Sequence, residues 1–340
     1  MTELSAHTTF RVGGPARRFV EATSEDEICG VVKECDSRGE PLLILGGGSN
    51  VLIADEGFDG TVLKIATRGM EHNSEACYGV EVRVGAGETW DDFVAHCVAQ
   101  QWSGPEAMSG IPGSVGASPI QNIGAYGAEV ASLVQQVRTW DRRTGGIRTL
   151  FATDCDFGYR TSVFKQDPGR FVILRVTYQM PLGHMGQPIR YPELADALGV
   201  ECGQRAEATR VREEVLRIRR GKGMVLDDED RDSWSAGSFF MNPILTEEQA
   251  AALPEDAPRY PVGDRVKTSA AWLISSAGFP RGHAPGRRAR LSSKHVLALT
   301  NHDGASAADI MDLAREVRDG VRARFGVTLT PEVNLIGLNL

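Results

Sequence analysis

The chain has 340 residues, which allows two or three domains, and its 41% hydrophobic and 24% charged residues are ordinary for a globular enzyme. A formal net charge of -8 argues against a protein that tracks a nucleic-acid backbone, which would need a basic face. The polar start MTELSAHTTF and the lack of a long apolar run give neither a secretory signal nor a membrane span.

In chain order, Ser24 with Glu27 predicts a capped helix carried by Ile28, Val31, Val32 and Cys35 and stopped at Gly39. Leu42 to Leu45 reads as a buried strand, followed by the loop Gly46-Gly47-Gly48-Ser49-Asn50 and a second apolar run, Val51 to Ile53. Residues 81–84 read as a strand, and Thr89 with Asp92 caps a helix reaching about Gln101. The pattern over 132–182 is mainly β, with a hairpin turn at Gly145-Gly146 and a strand over 171–177. The stretch 181–205 is loop-rich, a candidate insertion. A helix over 210–220 ends at Gly221, and a second αβ unit follows Ser238. In the clearest helix, Ser306 and Asp309 cap an apolar face of Ile310, Leu313, Val317 and Val321, and Gly326 ends it. Two strand-like pieces joined by Thr330-Pro331-Glu332 close the chain. The cysteines Cys29, Cys35, Cys77, Cys97, Cys155 and Cys202 form no C-x-x-C pair and read as structural thiols of a reducing compartment. His283, His295 and His302 have no metal-ligand spacing, and no metal is assigned.

The 46–50 loop does not fit the common nucleotide fingerprints. It leads into a strand rather than a helix, and no Gly-Lys-Ser/Thr follows. Its glycines let backbone N–H groups approach an anion, with Ser49 and Asn50 as added donors; a tight turn without ligand fits equally. Residues 107–128 carry no charge but contain Gly110, Gly113, Gly116, Gly124 and Gly127, with Pro112 and Pro119 fixing the path. This composition predicts a buried irregular segment whose backbone groups need partners. A planar cofactor with a pyrophosphate supplies them, with Ile111, Val115 and Ile120 covering its apolar parts; a purely structural loop around Asn122 is the alternative.

The strings TTFRVGG (8–14), LILGGGSNVL (43–52), SGIPGSVGASPIQNIGAYG (109–127), FGYRTSVFK (157–165), AGSFFMNP (236–243) and PEVNLIG (331–337) resemble the UDP-N-acetylenolpyruvoylglucosamine reductases, the MurB family. The matches run in order along essentially the whole chain, and the 109–127 segment is the specific one. The resemblance implies an α+β fold: an FAD-binding domain of the vanillyl-alcohol-oxidase (PCMH) type in two subdomains, plus a smaller C-terminal α/β substrate domain. The expected parts are 1–65 with 327–340, 66–220 containing the insertion 181–205, and 221–326. It implies flavin contacts from Leu45, Gly46, Gly47, Gly48, Ser49, Asn50 and Val51 in the first loop. In the second they come from Ile111, Pro112, Gly113, Val115, Gly116 and Ala117, then Ile120, Asn122, Gly124 and Gly127.

The implied reaction is a cytoplasmic step of peptidoglycan precursor synthesis. NADPH reduces FAD, which reduces the enolpyruvyl ether of UDP-N-acetylglucosamine enolpyruvate to give UDP-N-acetylmuramate. No nucleic acid, membrane insertion or obligate protein partner is implied. Hydride arriving at the methylene carbon leaves enolate character beside the substrate carboxylate. That charge must be stabilised and the adjacent carbon protonated. The resemblance gives the carboxylate to Arg160, which can grip it bidentately and stays charged. It makes Ser238, after the small pair Ala236-Gly237, the proton donor, and Glu332 the assistant at the enolate. A carboxylate there repels an enolate, so the role requires Glu332 protonated or paired. Tyr159, Tyr191, Lys222 and Asn242 are the implied substrate contacts, Tyr191 on a loop that shields the site. Two positions depart from the family pattern: Met241 replaces the usual lysine of FFKNP, and Gly223-Met224 follows Lys222 where x-Pro is frequent. Two other readings stay open on residues alone: an FAD-linked oxidoreductase for another substrate, and a non-catalytic nucleotide-binding protein.

Overall fold

The computed structural model describes residues 1–75 and 78–340; Cys77, read above as a structural thiol, lies outside the described residues. The chain forms two compact units. Arg17–Gly47 and Asp59–Arg220 make one, while Met1–Ala16, Gly48–Phe58 and Gly221–Leu340 make the other, so residues 1–65 are divided between them.

In the first unit, the strand Phe58–Ile65 lies between Pro15–Ala22 and Leu42–Leu45, the latter parallel to it. The helix Glu25–Arg38 begins with the expected capping box of Ser24 and Glu27 and buries Ile28, Val32 and Cys35. A second, antiparallel sheet has the order Gly146–Phe151, Val134–Asp141, Phe171–Met180, Gly79–Gly85, Met70–Glu75. The helix Trp90–Ala99 buries Trp90, Phe93, Val94 and Cys97, and Phe93 stacks on Tyr178 with centroids 4.8 Å apart. Each such buried large side chain stabilises by about 1.5–3 kcal/mol. Thr89 precedes this helix as expected, but its side chain makes no cap. The Trp90 N–H instead donates to the Gly113 carbonyl at 3.0 Å, so part of the glycine-rich segment takes over the helix start.

The stretch 181–205 is not simply a loop. It contains the helix Pro192–Leu198, with proline at its first turn and Gly199 as C-cap. Leu194, Ala195 and Leu198 form a small core with Val211, Val215 and Ile218 of the helix Ala208–Gly221. Burial of those side chains offsets the shortness of the seven-residue helix.

In the second unit, the helix Ala307–Phe325 has the expected Ser306–Asp309 capping box and buries Ile310, Leu313, Val317 and Val321, with Gly326 as C-cap. These side chains share a core with Phe10, Leu52, Phe239, Phe240, Leu273 and Ile274. The strand Val51–Ile53 pairs in parallel with Asn334–Ile336. Of the two expected terminal strands only this second one forms. Val327 and Leu329 are spent on core packing instead, and the Thr330 carbonyl accepts from the Met241 N–H at 3.0 Å. Among the described residues no helix is long and apolar enough to cross a membrane. Cys29, Cys35, Cys97, Cys155 and Cys202 are free thiols, and burial pushes Cys97 up and Cys155 up to about 12, which makes both inert.

Candidate active site

The two glycine loops meet backbone to backbone. A Cβ on Gly47 would lie 2.7 Å from the Gly113 Cα, and one on Gly116 would lie 2.6 Å from the Ala86 Cβ. No side chain other than hydrogen fits at either position. The segment is held there by the Val115 N–H donating to Glu88 and the Gly116 N–H donating to Ala86, both at 2.8 Å. Leu45 ends its strand buried, and Val115 is fully buried in the core, whereas Ile111 is half-buried and Ile120 is 37% exposed. Gly48, Ser49, Asn50 and Val51 belong to the second unit.

The segment 107–128 is largely buried or half-buried, as its composition predicts. Much of its polar backbone is satisfied by the protein itself. Ser118 Oγ bonds the Val115 carbonyl at 2.8 Å, and Ser162 Oγ donates to the Ile120 carbonyl at 2.5 Å. Asn122 is 1% exposed; its amide donates to Glu129 at 2.9 Å and to the Gly158 carbonyl at 3.1 Å, and its Oδ1 accepts from Ala131. The structural reading of Asn122 therefore holds alongside any ligand role.

Asn122 also meets Arg160. The Arg160 guanidinium donates to the Gly124 carbonyl at 3.0 Å and reaches that of Asn122 at 3.4 Å, and its Cζ lies 5.7 Å from the Tyr159 ring centroid. Asn122, Tyr126 and Arg160 all have left-handed backbone, with φ of 46°, 50° and 55°. Three non-glycine residues in that region, joined by one arginine and one short hairpin, are a concentration of strain of the kind found at functional sites.

The hairpin Gly124–Ala125 and Ala128–Glu129 turns at Gly127 and carries Tyr126, whose ring packs edge-on against Tyr191, centroids 5.6 Å apart. Tyr191 is 46% exposed and stands immediately before the helix Pro192–Leu198, so its anchor is a helix start. Burial pushes the Tyr126 hydroxyl up to about 12, against the opposing field of Arg219. Arg219, on the helix Ala208–Gly221, is 9% exposed and donates to the Gly110 carbonyl at 3.3 Å; burial lowers its pKa. Arg212 grips Asp91 bidentately at 2.6 and 2.9 Å, and Asp91 accepts from the Gly110 N–H at 2.6 Å. Sequence reasoning missed Tyr126, Arg219 and the Asp91–Arg212 pair. The signal for Arg219 was its spacing: it is four residues beyond Val215 and eight beyond Val211, on the helix's buried stripe.

In the second unit the backbone of Glu332 is bonded to Phe239, the residue after Ser238. The Phe239 N–H donates to Leu297 at 2.8 Å, and the Phe239 carbonyl accepts from the Glu332 N–H at 2.8 Å. Phe240 and Pro331 form an antiparallel bridge. The half-buried Ser238 thus precedes a residue fixed on both sides. Asn242 Oδ1 accepts from the Ala270 N–H at 2.9 Å, at the start of the helix Ala270–Ser276, so that oxygen serves a helix end. Lys222 is half-buried. Of the histidines, His283 pairs with Glu316 at 3.0 Å and His302 approaches Asp232 at 3.6 Å.

Comparison with known proteins agrees with these features. Residues 16–150 match a family model described as an FAD binding domain, and the apposed backbone loops that exclude side chains suit a cofactor carrying phosphates. The fold and the paired loops thus define an FAD-dependent oxidoreductase of the α+β class. Residues 228–336 match the C-terminal domain of UDP-N-acetylenolpyruvoylglucosamine reductase. The chain is 55% identical over 340 residues to the reductase of that name from Cutibacterium acnes, covering 99% of this chain and 90% of the relative. It is 50% identical over 349 residues to that from Streptomyces coelicolor, again covering 99% and 90%. The crystal structure of the Thermus caldophilus enzyme (MurB) superposes with a TM-score of 0.69 at 25% identity, covering 98% of this chain and 97% of that one. The chain belongs to the UDP-N-acetylenolpyruvoylglucosamine reductase family.

Proposed function

We propose that this chain reduces UDP-N-acetylglucosamine enolpyruvate to UDP-N-acetylmuramate, with NADPH as hydride donor and FAD as carrier. The observation that carries the reaction is the 55% identity to a named reductase along 99% of the chain. A cytoplasmic setting, and a part in cell-wall biogenesis, cell shape and division, belong to the same reading. So does a functional division into 1–65 with 327–340, 66–220, and a substrate domain over 221–326.

When bound, FAD would supply the hydride-carrier chemistry that links NADPH to the enolpyruvyl group. Gly46, Gly47 and Gly113 would hold its pyrophosphate through backbone groups, Gly116, whose N–H is taken by the Ala86 carbonyl, would only permit close approach, and Ile111 and Ile120 would lie beside its apolar parts. Arg160 binds the substrate carboxylate and steadies the negative charge that grows there. Supporting this is its strained backbone, an arrangement that persists only where surrounding contacts enforce it. Ser238 gives its hydroxyl proton to the carbon next to the carboxylate, and Glu332 assists. The support is their shared backbone ladder through Phe239, which limits how far the two can drift apart. Tyr159, Tyr191, Lys222 and Asn242 contact the sugar nucleotide, and Tyr191 shields it. Arg219 and Tyr126 join this list on their burial beside Gly110 and Tyr191.

The test is NADPH oxidation that depends on the enolpyruvyl sugar nucleotide, in protein confirmed by its absorbance to carry FAD. Flavin-loaded protein without substrate-dependent turnover overturns the reading and favours an oxidoreductase for another substrate. Colourless protein that cannot be reconstituted with FAD favours a non-catalytic one.

A further inference from the structure

The string TTFR at residues 8–11 has no part in the chemistry above, although the structure buries Thr8, Thr9 and Phe10. Thr9 touches two functional loops at once. Its N–H donates to the Gly48 carbonyl at 3.1 Å, and its hydroxyl donates to the Ser235 carbonyl at 2.6 Å. Ser235 begins the run Ser235-Ala236-Gly237-Ser238, and its own hydroxyl accepts from the Gly237 N–H at 3.1 Å.

The neighbours of Thr9 hold the same run. The Asn301 N–H donates to the Trp234 carbonyl at 3.0 Å, and the Asn301 amide, 2% exposed, donates to the Phe10 carbonyl at 3.0 Å. Arg11, at a left-handed φ of 56°, places its guanidinium 5.6 Å from the Trp234 ring centroid. Between Ser235 and Phe239 lie three half-buried residues, with a left-handed glycine at Gly237 (φ 72°). The downstream end is fixed by Leu297 and Glu332, as described above. The upstream end is fixed by the Thr9 hydroxyl.

We propose that Thr9 is a positioning residue for Ser238: its hydroxyl fixes the upstream anchor of the Ser238 turn, and its N–H ties that anchor to the flavin-loop residue Gly48. The proposal rests on the reading of Ser238 as proton donor. A serine is a weak acid and protonates carbon only if its oxygen is held in place, so a loosened anchor slows that step and leaves NADPH oxidation by the flavin untouched. Valine keeps the shape of threonine and deletes the donor; serine keeps the donor; cysteine, a weak donor, replaces valine if the valine variant does not fold.

The experiment measures both half-reactions of the FAD-loaded enzyme by flavin absorbance. The variants are Thr9→Val, Thr9→Ser, Ser238→Ala and the double variant Thr9→Val/Ser238→Ala. A second readout is amide exchange of residues 236–240 in the FAD-loaded protein. Thr9→Val is expected to bleach with NADPH within about twofold of wild type and to reoxidise with substrate roughly tenfold more slowly. Thr9→Ser should restore the rate, and the double variant should be no slower than Ser238→Ala alone. Amides 236–240 should exchange faster in Thr9→Val than in wild type. Wild-type reoxidation in Thr9→Val, unchanged exchange, or a slowing that adds to that of Ser238→Ala overturns the positioning role. Wild-type reoxidation in Ser238→Ala overturns the reading beneath it, whatever Thr9→Val does.

Discussion

The Asn50 side-chain amide donates to the backbone carbonyl of Glu332 at 3.3 Å, and the Asn334 N–H returns to the Asn50 carbonyl at 3.1 Å. A residue of the first glycine loop is thereby locked to the backbone of a candidate catalytic residue 282 positions later. The parallel pairing of Val51–Ile53 with Asn334–Ile336 extends the lock. Within this unit the first glycine loop, Glu332 and, through Phe239, the Ser238 turn share one run of backbone hydrogen bonds. Reacting groups carried on such a run keep their spacing without the entropy cost of mobile loops.

Replacing Ser238 by alanine should therefore separate the two half-reactions. NADPH is expected to bleach the flavin at close to the wild-type rate. Reoxidation by the enolpyruvyl sugar nucleotide should slow by about 10²–10⁴-fold, the range for loss of a general acid. Stopped-flow absorbance of the flavin reads both, and equal wild-type rates in both would remove Ser238 from the role.

Gly47→Ala tests the cradle without touching the reacting groups. Its new Cβ would meet the Gly113 Cα at 2.7 Å, which forces the two loops apart where backbone faces backbone. The expected result is folded protein that purifies with substoichiometric FAD, read as a lowered ratio of flavin to protein absorbance. Full flavin content would mean that the loops do not need this approach.

Much of this architecture was legible in the sequence because local signals carry it. The capping boxes at Ser24 and Ser306, the apolar stripe of the helix Ala307–Phe325, and the uncharged run 107–128 all state their structure within a few residues. The pairing of Gly47 with Gly113, the burial of Arg219 and the anchoring of Ser235 by Thr9 are long-range, and no local pattern encodes them. The helix Pro192–Leu198 was hidden differently. Its Tyr-Pro start and Gly199 end were visible, but a seven-residue helix is stable only against the buried face of Ala208–Gly221. At Thr89 the local cap signal was right about the helix start, but the partner is the Gly113 carbonyl, 24 residues on from Thr89.

Asp91 ties the start of the 109–127 segment to the helix Ala208–Gly221. Burial alone raises its pKa, but the hydrogen bonds from Arg212 and from the Gly110 N–H outweigh that, and its pKa is lowered. A carboxylate with a depressed folded pKa contributes stability that is fully present above its unfolded value of about 3.9 and is lost as pH falls through its folded one. Asp91→Asn should therefore melt below wild type at pH 7, with the gap closing as pH drops below about 4. Melting temperature against pH for both proteins checks this. A gap that stays constant to pH 3 would place the effect in packing rather than in the ionised pair.

Arg160→Lys keeps a positive charge but loses the planar fork, so it asks whether geometry or charge matters at the carboxylate. Lysine cannot reach the Gly124 and Asn122 carbonyls as the guanidinium does at 3.0 and 3.4 Å, nor offer two parallel donors to a substrate carboxylate. A loss of about 10²-fold in kcat/KM for the sugar nucleotide is expected, equivalent to about 2.7 kcal/mol of transition-state stabilisation. Flavin bleaching by NADPH should stay near wild type, since that step involves no enolpyruvyl carboxylate. Steady-state kinetics alongside the single reductive half-reaction distinguish the outcomes. A lysine variant within about threefold of wild type would make Arg160 a simple counter-charge, whereas equal losses in both half-reactions would mean that the strained corner at Asn122, Tyr126 and Arg160 supports the flavin site as a whole.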